Sequence, residues 1–113
     1  MELSLTAQAI KNYKSTFTWI NGYESWLKVP TAKDYTWEAP HLGLKTIGDD
    51  QIKNILFKFC IKNKLEQKLV NISEHGRYIT CELILKRKTG KKFKKIEVFL
   101  VDEKNKVKKI WAL

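Results

Sequence analysis

The sequence predicts an α+β fold in which three helices near the N-terminus pack on one face of an antiparallel sheet. Apolar residues in the first segment recur every three or four positions, as they do along one face of a helix. From Lys64 onward, four apolar runs are separated by the turn sequences "EHG", "TG" and "DEKNK", which is the pattern of successive hairpins. Helices followed by hairpins are typical of α+β folds rather than of alternating α/β folds.

Three helices are predicted in the first sixty residues. The first, in "LTAQAIKNYKSTFTWI" (5–20), ends at "NG" and has an apolar face of Ile10, Tyr13, Phe17 and Ile20. A short second helix is predicted in "YESWLKV" (23–29), before a proline. The third begins at Asp49 and Asp50, which suit a helix N-terminus, and has an apolar stripe of Ile52, Ile55, Leu56 and Phe59.

Five strands are predicted. The first lies in "DYTWEAP" (34–40), where alternation puts Tyr35, Trp37 and Ala39 on one face. A glycine-containing loop, "HLGLKTIG", connects it to the third helix. The other four strands are "KLEQKLVNIS" (64–73), "RYITCELILKRK" (77–88), "KKFKKIEVFLV" (91–101) and "VKKIWAL" (107–113).

The register of the central hairpin decides which side chains face the helices. If "TG" is a two-residue turn, Glu82 lies opposite Glu97, Thr80 opposite Phe99 and Tyr78 opposite Val101. These residues would share the helix-facing side. The other side would be an apolar face of Ile79, Cys81, Leu83, Leu85, Ile96, Val98 and Leu100. A bulge near the turn would break this pairing, and a slip of one residue would move the side chains to the wrong face.

Composition limits the classes of function. A chain of 113 residues, 43% of them hydrophobic, is expected to form one domain, residues 1–113. No apolar run approaches the roughly 20 residues that span a bilayer, and "MELSLTAQAIKNYK" lacks the order of a secretion signal. We therefore expect a cytoplasmic protein without a membrane partner. Cys60 and Cys81 lie within apolar patterns and are expected in the core. No metal-ligand spacing or phosphate loop is present, so we expect neither a metal nor a cofactor.

The positive charge is concentrated in the last two strands. The net charge is +10, and the segment 86–109 alone contributes +8. Lysine dominates over arginine and aromatic residues do not alternate with the charges, so we expect a solvated surface with at most weak, non-specific binding of nucleic acid. An acidic macromolecular partner for the hairpin tip "KRKTGKK" (86–92) is left open.

The order of these elements resembles the nuclear transport factor 2-like superfamily, in particular the small bacterial proteins similar to ketosteroid isomerases and SnoaL-like polyketide cyclases. The resemblance rests on the "NG" break, "TWEAP", Gly48 before a helix, and the final "IEVFLVDEKNKVKKIWAL", and it covers essentially the whole chain. It implies a cone-shaped α+β roll, in which a curved sheet wraps the helices around a deep apolar pocket. It also implies a homodimer, which we expect to form through the apolar row Leu83, Ile96, Val98 and Leu100 beside Trp111.

The resemblance also implies a pocket acid. The acidic position matching Glu97 points into the pocket, and in ketosteroid isomerases its counterpart is protonated and donates a hydrogen bond. Glu82 lies beside Glu97 in the predicted register, and two close carboxylates in a dry site cannot both ionise easily. The alternative is that Glu97 forms a buried ion pair or hydrogen bond without a catalytic task. The expected walls of the pocket are Tyr13, Tyr35, Trp37, Tyr78, Phe99, Ile110 and Ala112.

Two classes of function remain open from the sequence. Ketosteroid isomerases place an aspartate base just before the proline of the "TWEAP"-like segment, where this chain has Ala39. This difference favours a non-catalytic binding or interaction module for a small apolar molecule. The other class is an acid–base enzyme of isomerase, cyclase or dehydratase type, with Glu97 as the pocket acid and Glu82 or His41 as further candidates. His41 is also compatible with an exposed loop position.

Overall fold

A computed structural model of the protein describes residues 2–113, which form three helices and one sheet of six strands. The helices are α1 (Leu5–Thr16), α2 (Gly22–Trp26) and a continuous third helix made of α3 (Gly48–Ile52), a π-helical segment (Lys53–Phe57) and α4 (Lys58–Lys62). The strands are β1 (Thr31–Ala39), β2 (Leu44–Ile47), β3 (Glu66–His75), β4 (Tyr78–Lys86), β5 (Lys92–Val101) and β6 (Val107–Ala112). The predicted α+β class is confirmed.

The sheet is mixed because one pair of neighbouring strands is parallel. The strand order is β2-β1-β6-β5-β4-β3, and β1 runs parallel to β6 while every other pair is antiparallel. Strand β2 lies where the sequence predicted a loop. A 3₁₀ turn (Pro40–Leu42) and Gly43, with φ +64°, reverse the chain tightly enough for β2 to pair with β1. The four residues of β2 read apolar, polar, polar, apolar, so they lack the strict alternation that predicts a strand.

Helix α1 ends four residues earlier than predicted. The side chain of Ser4 caps its start by accepting a hydrogen bond from the amide of Ala7. After Thr16 the backbone amide and the hydroxyl of Thr18 both donate to the Asn21 carboxamide oxygen, and this local turn replaces the next helical turn. Ile20, predicted on the buried stripe, is therefore 75% exposed.

The β4–β5 register differs by one residue from the prediction. The loop is not a two-residue turn: Gly90 has φ +88° and donates to the Arg87 carbonyl, which makes a three-residue loop with a bulge. The bulge shifts every pair, so that Cys81 lies opposite Glu97 and Ile79 opposite Phe99. The side of β4 that packs against the helices consequently carries Ile79, Cys81 and Leu83.

One hydrophobic core joins the helices to the inner face of the sheet. Its members on the sheet include Trp37, Ile79, Phe99 and Ile110, and Ile10 of α1 belongs to the same cluster. Cys60 and Cys81 are buried free thiols, as predicted. Burial raises the pKa of each thiol to about 12, so both are protonated and unreactive at neutral pH. Within residues 2–113, no helix is both long and apolar enough to cross a membrane.

Candidate functional site

A mostly apolar cavity of about 110 Å³ opens between the inner face of the sheet and the third helix. Strands β1, β2, β4 and β6 contribute the side chains of Trp37, Ala39, Leu44, Leu85 and Ala112. The third helix and the residues near it contribute Ile55, Leu56, Phe59 and Leu65. The polar or charged lining residues are His41, Lys95 and Glu97.

Exposure distinguishes the deep end of this cavity from its mouth. Ala39 and Trp37 are 1% and 5% exposed, whereas Leu44 and Phe59 are 39% and 40% exposed. The cavity therefore leads from an aliphatic and aromatic rim to the indole of Trp37. The Trp37 Nε1–H is buried and has no hydrogen-bond partner among residues 2–113. A buried donor left in this state costs about 1–3 kcal/mol.

A second cavity of about 30 Å³ lies behind the first and is lined by ten residues, including Tyr13 and Trp26. It has room for about two water molecules. Trp37, Leu56 and Glu97 line both cavities and so form the partition between them. Phe99 and Ile110 face the inner cavity, while Ala112 faces the outer one.

Glu97 is paired with a cation, Lys14, that the sequence analysis did not identify as its partner. Lys14, from α1, forms an ion pair with Glu97, and the two side chains are only 3% and 12% exposed. The Lys14 ammonium also donates to the Gln67 side-chain oxygen at 3.2 Å and lies 5.1 Å from the centre of the Tyr13 ring. Glu97 thus forms an ion pair, and this pair lies in the partition between the two cavities. Such pairs are stable only when both charges are present and hydrogen-bonded.

The spacing of residues along α1 predicts that Lys14 is buried. It lies four residues after Ile10 and three before Phe17, which places it on the buried stripe of α1 rather than on the solvent face. A lysine on such a stripe needs a carboxylate nearby. The identity of that carboxylate depends on which strand α1 crosses, which the helix sequence does not contain.

The structure separates the predicted tyrosines into three environments. Tyr13 faces the inner cavity, and burial, followed by the nearby Glu97 charge, raises the pKa of its hydroxyl well above the ordinary value. Tyr35 is buried outside both cavity walls: its hydroxyl accepts from Trp26 Nε1 (2.8 Å) and donates to Asp49 Oδ1 (2.6 Å). The pKa of Tyr35 is also raised, chiefly by burial and then by its bond to Asp49. Tyr35 therefore belongs to a core network and not to the cavity lining.

Tyr78 and Glu82 are corrections to the predicted site. Both lie on the outer face of the sheet, where Tyr78 is 49% exposed and Glu82 is exposed. The cause is the bulge at Gly90, which moves the even-numbered residues of β4 away from the helices. Glu82 consequently pairs across the strands with Ile96 and lies on the opposite side of the sheet from Glu97.

His41 and Lys95 meet at the mouth of the cavity. His41 lies in the 3₁₀ turn after β1 and is exposed, as its loop position suggested. Its Nε2 is 2.8 Å from the Lys95 Nζ, a distance at which the ammonium donates to a neutral imidazole. The sequence analysis named His41 as a candidate base. Alternation along β5 puts Lys95 on the same face as Glu97, but Lys95 was not among the predicted site residues.

Comparisons with known proteins agree with this architecture. No protein-family model matches the chain, and no curated protein matches it. Solved structures do match. A SnoaL-like polyketide cyclase candidate from Jannaschia sp. CCS1 has a TM-score of 0.75 at 10% identity, over 100% of this chain and 90% of that chain. An NTF-2 like protein of unknown function from Burkholderia xenovorans LB400 has a TM-score of 0.76 at 12% identity, over 96% and 80%.

A third match, TerC co-crystallised with polyporic acid, has a TM-score of 0.73 at 14% identity, over 97% of this chain and 91% of that chain. Matches with identities this low show that the fold is shared, and the function has to be inferred from the residues of the site. The chain thus has the nuclear transport factor 2-like fold that its sequence resemblance predicted.

Proposed function

We propose that the protein is a non-catalytic binding or interaction module that holds a small, mostly apolar molecule in the 110 Å³ cavity. The observation that carries this proposal is the apolar lining of the cavity, which runs from the half-exposed Leu44 and Phe59 at its mouth to the buried Trp37 at its deep end. Apolar pockets with a few well-placed polar groups are the usual form of small-molecule sites. The match to TerC, co-crystallised with polyporic acid, supports the same use of the fold.

The second candidate is an acid–base enzyme of isomerase, cyclase or dehydratase type. The position of Glu97 in the walls of both cavities favours it, as does the fold shared with a polyketide cyclase candidate. The Lys14–Glu97 ion pair weighs against it, because it commits the carboxylate to a structural partner. Glu82 is on the other face of the sheet, and Ala39 supplies no base, so His41 is the remaining candidate for proton transfer at the cavity.

The binding function predicts saturable uptake of a neutral aromatic probe. We expect benzyl alcohol, titrated against the ¹⁵N-labelled protein, to shift the Trp37 indole resonance and the amides of Ala39 and Ala112 along saturating curves. The reason is that a single ring matches the volume of the cavity, since benzene occupies an apolar cavity of about 150 Å³ in another protein.

Ala112→Phe supplies the control, because Ala112 faces the cavity near the end of β6 and a phenyl ring there fills it. The filled variant should fold normally and lose the saturable shifts. Shifts that grow linearly with benzyl alcohol, or that persist unchanged in Ala112→Phe, would contradict the proposal.

We further propose that the protein partners with a second copy of itself through the outer face of the sheet. This face carries an apolar patch of Ile84, Ile96, Val98, Leu100 and Trp111, in which Val98 pairs directly with Trp111. Ile96 is 43% exposed. Leu83, predicted in this patch, is 2% exposed on the inner face and does not belong to it. Contiguous exposed apolar patches on proteins commonly mark interfaces, and two-fold dimers are the commonest closed assembly.

If the protein is a dimer through this face, lysine substitutions in the apolar patch should reduce the mass measured by sedimentation from that of a dimer to that of a monomer. Sedimentation should give a dimer for the wild type at concentrations on the order of tens of micromolar. Ile96→Lys combined with Val98→Lys should give a folded monomer, because two ammonium groups cannot be desolvated in such an interface. Asn71→Lys, at the β3 edge of the same face, is the control and should remain dimeric. A monomeric wild type would contradict this proposal.

The lysine-rich hairpin is not proposed as a specific nucleic-acid site. The structure does place aromatic rings there, since the Arg87 Cζ lies 5.6 Å from the ring centres of both Phe59 and Phe93. Arg87 covers the rings, however, which leaves less ring surface for base stacking. Weak and salt-sensitive binding of polyanions remains the expectation, as does a cytoplasmic location. An acidic protein partner for the hairpin tip also remains open.

A further inference from the structure

We propose that the cavity selects organic anions: molecules with an apolar body about one ring in size and a carboxylate or similar acidic group, which Lys95 binds at the mouth. This inference rests on the proposed binding function and adds the chemical class of the ligand. It follows from the charges around the cavity, from their position along its depth and from its size.

The charges around the cavity leave one uncompensated cation. Glu97 is already neutralised by Lys14. Among residues 2–113, the ion pairs are Lys14–Glu97 and Lys45–Glu38, so Lys95 has no carboxylate partner. When Lys14 is counted together with the Glu97 that it neutralises, and His41 is neutral, the charged groups at the cavity sum to +1, and this charge is located on Lys95. An anionic group is attracted to this site, whereas a cationic group is repelled.

The position of Lys95 fits an acidic group at the solvent edge. Lys95 and Glu97 are two residues apart on the same face of β5, which separates their backbones by about 7 Å along the cavity. The buried Glu97 is at the deep end, and the half-buried Lys95 meets the exposed His41 at the mouth. An acid group bound there keeps much of its hydration, so the desolvation cost that opposes buried ion pairs is small.

The apolar body then fills the space behind Lys95. The walls between Lys95 and Trp37 are aliphatic or aromatic, apart from the paired Glu97. A volume of about 110 Å³ with an open mouth accommodates a six-membered ring with a small substituent. The ring would contact Ala39 and Leu56, while the acid group reaches the Lys95 ammonium.

Three probes of nearly equal shape and different charge test the inference: benzoate, benzyl alcohol and benzylammonium. Each is titrated by NMR at physiological salt into the wild type, Lys95→Met and Lys94→Met. Met keeps the length of the lysine stem without its charge. Lys94 is the neighbouring residue on the opposite face of β5, so its variant reports the general effect of the protein's positive charge of +10.

In the wild type, we expect benzoate to bind about tenfold more tightly than benzyl alcohol, the effect of roughly one partly exposed charge pair, with benzylammonium weakest. Lys95→Met should abolish the advantage of benzoate and leave benzyl alcohol binding within about twofold of the wild type. Lys94→Met should retain the advantage. Lys95→Gln provides a second neutral variant with the same expected result.

The outcomes separate this inference from the proposed function. If benzyl alcohol binds saturably but benzoate binds no more tightly, the inference is wrong and the binding function stands. If Lys94→Met and Lys95→Met weaken benzoate equally, the preference comes from the overall charge, which also overturns the inference. If none of the three probes binds saturably to the wild type, the proposed function itself is wrong.

Discussion

Lys14→Met is expected to lower the free energy of unfolding by about 3–5 kcal/mol, because it leaves the Glu97 carboxylate buried without its counter-ion. Glu97→Gln should have a cost of similar size, since the Lys14 side chain is 3% exposed and cannot reach water without moving α1. Urea unfolding followed by circular dichroism measures both values. Each variant removes one charge and strands the other, so the cost reflects the stranded charge rather than the net value of the pair.

The double variant Lys14→Met plus Glu97→Gln distinguishes this explanation from a simple loss of packing. With both charges gone, no ion is left buried, and we expect a loss smaller than either single loss and a coupling energy of about 2 kcal/mol or more. Lys45 and Glu38 provide a matched control, because they form an exposed ion pair 3.5 Å apart. The corresponding cycle there should give about 0.2–1 kcal/mol. Additive losses at Lys14 and Glu97 would contradict the buried ion pair.

The ion pair also changes how loss of function at Glu97 should be read. In the structure the same carboxylate supports α1 and lines both cavities. Lower ligand binding or activity in a Glu97 variant therefore does not by itself identify a catalytic acid. The Lys14→Met variant distinguishes a structural role of Glu97 from a catalytic one, because in this variant Glu97 is present but its structural partner is missing.

The sequence correctly predicted those features of the fold that depend on a single strand or on one face of a single helix. Alternation within β1 put Tyr35, Trp37 and Ala39 on one face, and the structure buries all three, because period-two geometry needs no knowledge of the neighbouring strand. The third helix and the order of the last four strands also agree with the prediction.

Contacts between elements were the part that the sequence could not determine. Tyr78 and Glu82 were misplaced because their side depends on pairing with β5, and Gly90 shifts that pairing by one residue. The partnership of Lys14 with Glu97 depends on α1 lying over β5, which no local pattern encodes. The register was thus decided by one glycine in the left-handed region, a feature compatible with both readings of "TG".

Leu83→Lys is expected to prevent folding, whereas Ile84→Lys should be tolerated by the fold. Leu83 is 2% exposed against the helices, so the substitution removes a buried aliphatic side chain and introduces an ammonium without a partner. The combined cost is about 4 kcal/mol or more, comparable with the whole stability of a small domain. Ile84 is the next residue on the outer face, where a lysine ammonium reaches water in the monomer, so the substitution weakens the proposed dimer but not the fold. Circular dichroism and a ¹H–¹⁵N spectrum of each variant measure the difference.

Leu83→Lys and Ile84→Lys distinguish the two alternative registers of β4 and β5, because the registers predict opposite results for these adjacent residues. With a two-residue turn at "TG", Leu83 would face outward and Ile84 would lie against the helices. With the bulge at Gly90, the assignments are reversed. A folded Ile84→Lys chain with dispersed resonances, together with an unfolded Leu83→Lys chain, would establish the bulged register. A folded Leu83→Lys protein would instead indicate the register with a two-residue turn, in which Tyr78 and Glu82 face the helices. Glu82 would then lie near Glu97, and the two carboxylates would again support the hypothesis of an acid–base enzyme.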